Sequence, residues 1–273
     1  MTGLRTPHHR PAAGAMPWPP DEAALPHAAA PWFAPWRAPA EAVLQRLGAG
    51  ADLPSALNAT QCAPVHFVPQ TALPPDTPYE RYIFESKCVP TREGWHDFFN
   101  ALVWARLPRA KQQLNALQAA QIVRDGVGAV RGPVRDAITV FDENAALLHA
   151  PDALWQALAA RDWAALFGPL RPLWAEARLL VFGHAALEKL LAPYKSITVH
   201  VWRVAAPFDP AGHLDALDAL LAADLTPAKL AAKPFAPLPL LGVPGWWADN
   251  QAPGFYDDPQ VFRPRRAVVG AAA

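Results

Sequence analysis

The sequence contains few cysteines, little glycine and no excess of either charge. Its 273 residues include 2 cysteines and 15 glycines, and 24 lysines and arginines balance 24 aspartates and glutamates. Cys62 and Cys88 are too few for a disulfide scaffold and lack metal-binding spacing, so a reducing, cytoplasmic compartment is predicted. The zero net charge disfavours a nucleic-acid-binding protein.

Long apolar runs are also missing. No run reaches the roughly 18 residues that a membrane-spanning helix needs, so no membrane association is predicted. The richest stretch, residues 179–191, is interrupted by polar side chains and predicts an amphipathic helix. The first thirty residues lack the compact apolar segment of a secretory signal. Phosphate-binding loops, dinucleotide-binding glycine motifs and nucleophile elbows are absent from the sequence as well.

Proline and tryptophan are abundant instead. The 32 prolines are about 12% of the chain, against an average near 5%, and 11 tryptophans accompany them. This composition predicts long ordered loops that pack on the protein body, with Trp32, Phe33 and Trp36 as anchors. We predict a disordered tail at residues 1–30, a single α+β domain at 31–266 and a flexible tail at 267–273.

Hydrophobic periodicity and turn residues predict several helices with a small sheet or β-hairpin. The predicted helices cover residues 40–47, 96–106, 109–124 and 214–223, and, with a break at 168–169, residues 151–192. Strands are predicted at residues 65–68 and 197–204, with an extended segment at 81–85. A hairpin is predicted from strands 137–141 and 146–149 around a turn at 142–144, and loops are predicted from residue 234 onward.

The densest group of potentially reactive side chains lies between residues 91 and 104. His96, Asp97 and Asn100 stand there among tryptophans and phenylalanines, where polar groups need hydrogen-bond partners. His96 and Asn100 are four residues apart and share a helix face. They suit a general base or metal ligand with a polarising amide, or a structural network that holds a buried loop.

The next predicted helix extends this candidate site. Lys111 and Asn115 are also four residues apart, and a helical hairpin would bring Asn115 toward Asn100. A solvated helix face is the favoured interpretation of these two residues. Arg135 and Asp136 interrupt an otherwise apolar stretch, which is less easily explained by structure alone.

Four further polar residues have ordinary structural interpretations. Asp142 and Glu143 suit the predicted turn, although on a strand Asp142 would share a face with Asp136. His184 and Glu188, four residues apart on a helix, can ligate a metal. A satisfied buried pair is the favoured interpretation, because no second histidine occurs at the interval of a zinc protease motif.

Several motifs together resemble a bacterial family known as domain of unknown function 3025. They are Pro78-Tyr79-Glu80-Arg81, Val89-Pro90-Thr91-Arg92, the run from Trp95 to Trp104, Leu107-Pro108-Arg109-Ala110-Lys111, Leu114-Asn115, the run from Arg135 to Glu143, Phe182-Gly183-His184-Ala185, Phe255-Tyr256-Asp257-Asp258 and Val261-Phe262-Arg263-Pro264. The resemblance covers roughly residues 32–265 and implies a single domain without an assigned activity. Lys87, Gln118 and Asn144-Ala145 depart from the family pattern, which has a histidine at the position of Gln118.

Two functional hypotheses follow. In the first, the protein is a hydrolytic enzyme for a small anionic or phosphorylated substrate. His96, Asp97, Asn100 and Asp136 would be catalytic, and Arg81, Arg92, Arg135, Lys111 and Asn115 would bind substrate. In the second, it is a non-catalytic binding or scaffold protein whose polar residues pair with one another without an open cavity. The sequence identifies no metal, cofactor or oligomeric state.

Overall fold

The computed structural model describes residues 16–19, 25, 27–126 and 132–265. The helices are α1 (Arg37–Gly48), α2 (Leu53–Asn58), α3 (Tyr79–Ser86), α4 (Trp95–Arg106), α5 (Pro108–Asp125), α6 (Pro133–Asn144), α7 (Asp152–Ala160), α8 (Trp163–Phe167), α9 (His184–Lys189), α10 (Asp215–Asp224) and α11 (Pro227–Ala231). The predicted tail at 267–273 and most of that at 1–30 lie outside the described residues.

The strands form two small sheets. They are β1 (His66–Pro69), β2 (Cys88–Thr91), β3 (Ala145–His149), β4 (Arg178–Val181), β5 (Thr198–Arg203) and β6 (Ala236–Pro239). β1 and β2 pair in parallel, and the larger sheet has the order β4-β3-β5-β6. Its two central strands are parallel, with Ala146 opposite Val201, and both edge strands are antiparallel to them. The predicted single-domain α+β fold is confirmed.

Aromatic side chains hold the long loops against the body, as their abundance predicts. Trp32, Phe33 and Trp36 are buried, and Phe33 stacks on Phe99 of α4 with ring centroids 5.8 Å apart. Further upstream, the Trp18 ring packs edge-on against Trp95 at 5.2 Å. The aromatic face of α4 is therefore covered by chain that precedes α1.

Two segments predicted as extended are helical. Residues 81–85 lie within α3, and residues 137–141 lie within α6 rather than in a hairpin strand. The buried positions of α6 include Val134, Ala137, Ile138 and Phe141, which recur at helical spacing. The prediction used only the alternation of 137, 139 and 141, which a short apolar stretch allows equally well. Proline at the first turn of α6 also favours the helix.

The prediction of a helix over residues 179–191 is wrong for its first residues, 179–181, which form part of a strand. Those residues begin in β4, which pairs with β3, and the chain then turns at Gly183 into α9. A short, continuously apolar segment does not distinguish a buried strand from a buried helix. Strand β6, in the predicted loop region, pairs with β5. Among the described residues, none of the helices has the length and apolar character that a membrane span requires.

Candidate functional site

Polar residues of five helices converge on one cavity of about 360 Å³. Helices α3, α4 and α5, the end of α6 and the start of α9 form its walls. The polar lining includes Tyr79, Arg92, His96, Asp97, Asn100, Lys111, Gln118, Asp142, Glu143 and His184. The cavity is open to solvent: the side chains of His96 and Glu143 are 35% and 33% exposed.

His96, Glu143 and His184 form one end of the cavity, the histidine end, and Glu188 contacts His96 from outside it. The Nε2 atoms of His96 and His184 lie 3.1 Å apart, and Glu143 Oε2 lies 3.4 Å from His184 Nε2 and 4.0 Å from His96 Nε2. On its other side, His96 Nδ1 lies 3.0 Å from Glu188 Oε2. If His96 Nδ1 carries the ring proton and donates it to Glu188, the His96 Nε2 lone pair faces the cavity.

A close backbone approach places His184 beside Glu143. At Gly183, a Cβ atom would lie 2.5 Å from the Asn144 backbone and from the Glu143 carbonyl oxygen. The Gly183 N–H donates to the Ala145 carbonyl over 2.8 Å. Only glycine permits this approach, which joins the start of α9 to the end of α6.

Environment shifts the pKa values of these three groups in different directions. The hydrogen bond that His96 donates to the Glu188 carboxylate raises the pKa of His96, against the effect of burial. Burial lowers the pKa of His184 to about 4, so its imidazole is neutral at pH 7. Burial also raises the pKa of the Glu143 carboxyl. Opposite shifts in adjacent groups are typical of functional sites.

Lys111 connects α5 to α4 and α6. Its buried ammonium donates to Asn100 Oδ1 over 2.8 Å and forms an ion pair with Asp142. The ammonium also lies 5.4 Å from the centre of the Trp104 ring. Burial alone would raise the pKa of Asp142, but the charge and hydrogen bond of Lys111, together with nearby His184 and His96, outweigh it and hold that pKa below its usual range.

At the mouth of the cavity, Arg92 is held by Asp97. Asp97 Oδ2 accepts from the Arg92 backbone N–H over 2.6 Å and from Nε over 3.1 Å, and Oδ1 accepts from Nη2 over 2.9 Å. The Arg92 side chain is 64% exposed. Burial and then the charge of Asp97 raise the pKa of Tyr79, which also lines the cavity and stays a neutral phenol.

Six of the nine candidate residues from the sequence line this cavity. They are His96, Asp97, Asn100, Arg92, Lys111 and Asn115. Asn115 does not face Asn100; it donates to the Glu80 carbonyl over 2.7 Å. Lys111 is buried, so the interpretation of this position as part of a solvated helix face is wrong.

The other three candidates lie away from the cavity. Arg81 pairs with exposed Glu85 of its own helix, and Asp136 pairs with Lys233. Arg135 is buried and donates to the Gly126 carbonyl over 3.3 Å. Because α6 is helical, Asp136 does not share a face with Asp142 as it would on a strand.

Of the group formed by His96, Glu143, His184 and Glu188, sequence analysis placed only His96 in the candidate site. Glu143 was assigned to a turn, and His184 and Glu188 were treated as a self-contained pair. The four-residue spacing of His184 and Glu188 was a real signal, but the contact of both with His96 joins segments about 90 residues apart. One sequence does not reveal such a contact.

The pattern of the family described as "Protein of unknown function (DUF3025)" matches residues 65–266. The chain belongs to this family, as its motifs indicated. The match includes every helix and loop that contributes a side chain to the cavity. No curated protein and no solved structure matches the chain.

Proposed function

We propose that the cavity is the active site of a hydrolytic enzyme that acts on a small substrate with an anionic group. The observation that carries this proposal is the convergence of His96, His184 and Glu143 in a cavity open to solvent. A scaffold role predicts polar residues that pair internally around no cavity, and the open space beside His96 weighs against it.

Hydrolysis requires a water molecule to be oriented and to lose a proton. Glu188 fixes the His96 ring, and burial keeps His184 neutral, so both can present nitrogen lone pairs to water. Glu143 adds a carboxylate at the same point. These groups form a strongly proton-accepting end of the cavity, where a water oxygen would become nucleophilic.

The outer end of the cavity has groups suited to substrate binding. Asp97 occupies Nε and Nη2 of Arg92, which leaves Nη1 for an oxygen of a carboxylate or phosphate group. The Tyr79 hydroxyl, also on the cavity lining, is a neutral donor.

The charge of the cavity restricts how an anion can bind. Four carboxylates line it, those of Glu80, Asp97, Asp142 and Glu143, against the two cationic side chains Arg92 and Lys111. The described lining therefore carries two more negative than positive charges when its histidines are neutral. Arg92 can attract an anionic group at the mouth of the cavity. For the anionic substrate to react beside His96, Glu143 and His184, additional positive charge is needed there.

The test is turnover of chromogenic phosphate esters, carboxylate esters and amides by the purified protein. We expect one class to be hydrolysed and His96→Ala to reduce kcat/KM by about 100-fold or more. His66→Ala, which replaces an exposed histidine of β1, is the control and should retain the wild-type rate. Turnover of no class, or full activity in a folded His96→Ala variant, would remove the proposal.

A further inference from the structure

We infer that His96, His184 and Glu143 form a binding site for a divalent transition-metal ion, for which Zn²⁺ is the expected occupant. The ligand atoms would be the two imidazole Nε2 atoms and Glu143 Oε2, which all lie within 4.8 Å of one another. This inference deepens the proposed function by naming the group that activates water. Its binding step can be tested without any substrate.

The distances between the three atoms match the size of such an ion. They form a triangle with sides of 3.1, 3.4 and 4.0 Å. The circle through its corners has a radius of about 2.1 Å, so one point lies that far from all three atoms, as Zn–N and Zn–O bonds require. An ion with slightly longer bonds would sit just outside the triangle's plane, with a further position open toward the cavity.

Hydrogen bonds alone leave this arrangement short of protons. With its Nδ1 proton donated to Glu188, His96 presents an acceptor at Nε2, and Glu143 presents carboxylate oxygens. Neutral His184 either donates one proton at Nε2, which serves only one of these two acceptors, or presents a lone pair there as well. With the lone pair at His184 Nε2, a cation would satisfy all three atoms together.

The surroundings also suit a metal site. Glu188 holds His96 in the way that outer carboxylates orient metal-ligating histidines. The close approach at Gly183 holds His184 against the end of α6, so the ligands come from three helices on a rigid frame. A divalent ion would also balance the two excess negative charges of the lining and allow an anionic substrate to bind.

The ligand set indicates the class of metal. Two imidazoles and one carboxylate suit Zn²⁺, Fe²⁺, Mn²⁺ and Co²⁺, whereas Mg²⁺ and Ca²⁺ prefer ligand sets made of oxygen. In the hydrolytic step, the ion would lower the pKa of its bound water to about 7. The water loses a proton to solvent, its oxygen bonds to the substrate centre, and the leaving group departs with the bonding electrons and takes up a proton.

The test is equilibrium dialysis of the chelator-stripped full-length protein, free of any purification tag, against Zn²⁺, Mn²⁺, Mg²⁺ and, under anaerobic conditions, Fe²⁺. We expect one Zn²⁺ per chain and no binding of Mg²⁺ at the same concentration. His96→Ala and Glu143→Gln should each weaken Zn²⁺ binding about 100-fold or more. Glu188→Gln should weaken it about 10- to 100-fold, because it only orients His96.

Control variants separate this site from adventitious binding. A double variant, His8→Ala with His9→Ala, removes the paired histidines near the N-terminus, and Glu85→Gln removes an exposed glutamate outside the cavity. Both should bind Zn²⁺ like the wild type. If His184→Ala does not fold, the partly exposed ligands His96 and Glu143 still decide the result.

Each outcome has a defined meaning. Stronger binding of Fe²⁺ or Mn²⁺ that depends on the same three residues would support the site and reassign its occupant. No binding, or binding that persists in His96→Ala and Glu143→Gln, would overturn it. Hydrolysis that is unaffected by chelator would leave the proposed function in place without the metal. Metal binding without hydrolysis of any substrate class would support the metal site and remove the proposed hydrolytic function.

Discussion

Asp142 and Glu143 are adjacent in the chain but belong to two halves of the cavity that differ in their electrostatics. The lysine half consists of Asn100, Lys111 and Asp142, and the histidine half consists of His96, Glu143 and His184. In the lysine half, a buried cation meets two acceptors, and the pKa of Asp142 is lowered. In the histidine half, acceptors outnumber donors, and burial raises the pKa of Glu143.

Under the proposed function, this difference separates a structural network from a binding site. A network that stabilises the fold pairs each buried donor with an acceptor, as Lys111 does. A site prepared for a ligand keeps groups whose preferred partner is the ligand itself. The lysine half therefore fastens α4, α5 and α6 together, and the histidine half remains available for chemistry.

The largest expected effect is the loss of Lys111. Lys111→Met keeps much of the side-chain volume but leaves Asp142 without its cation, at a cost of about 3 kcal/mol in the free energy of unfolding. Urea denaturation at pH 7 measures this change. The double variant Lys111→Met with Asp142→Asn should recover part of the stability, because the unpaired charge is then gone. Wild-type stability in Lys111→Met would show that the lysine half is not structural.

The junction of the two halves is the next target. Gly183→Ala places a Cβ against the backbone of Asn144, and we expect a loss of about 2 kcal/mol with weaker Zn²⁺ binding, since α9 must move away from α6. Gly48→Ala at the end of α1 is the control. Nothing lies within 4 Å of the added Cβ there, so stability should stay the same or rise by up to about 1 kcal/mol. Equal effects of both substitutions would contradict the role of Gly183.

Amide substitutions of the adjacent acids should have opposite effects on stability. Asp142→Asn removes the counter-ion of buried Lys111, which keeps only Asn100 as an acceptor, and should lower the metal-free unfolding free energy by about 2 kcal/mol. Glu143→Gln removes a charge that burial disfavours and should leave stability unchanged or slightly higher. Parallel urea titrations in the presence of chelator compare the two. Two destabilised variants of similar size would mean that both halves are structural.

Much of the fold follows from local sequence signals. Helix α4, helix α5, which begins at Pro108, and the β-branched strand β5 lie close to their predicted bounds. The errors fall where a short apolar segment fits two periods, as at residues 137–141 and 179–181. Pairing with β3 decides the second case, and pairing between distant segments is not encoded in the segment itself.

The candidate site divides in the same way. His96, Asn100 and Lys111 were found because helical spacing puts polar groups on one face, which is a local property. Glu143 was missed because the preceding residues were assigned to a strand, which made the acidic pair a turn. His184 was seen, but its neighbour His96 lies on another helix, and helix packing alone brings the rings within a centroid distance of 4.5 Å.

The smallest expected effect is at Arg81, and it tests which arginine binds substrate. Arg81 pairs with Glu85 on an exposed helix face, so Arg81→Ala should change stability by less than about 0.5 kcal/mol and leave kcat/KM unchanged. Arg92→Lys retains a charge at the cavity mouth but loses the fork that Asp97 holds, so it should raise KM for an anionic substrate more than it lowers kcat. Steady-state kinetics of both variants at low and high salt compare them. If Arg81→Ala raised KM and Arg92→Lys did not, the substrate would bind outside the described cavity. The histidine half of the cavity would then not be the place where the reaction occurs.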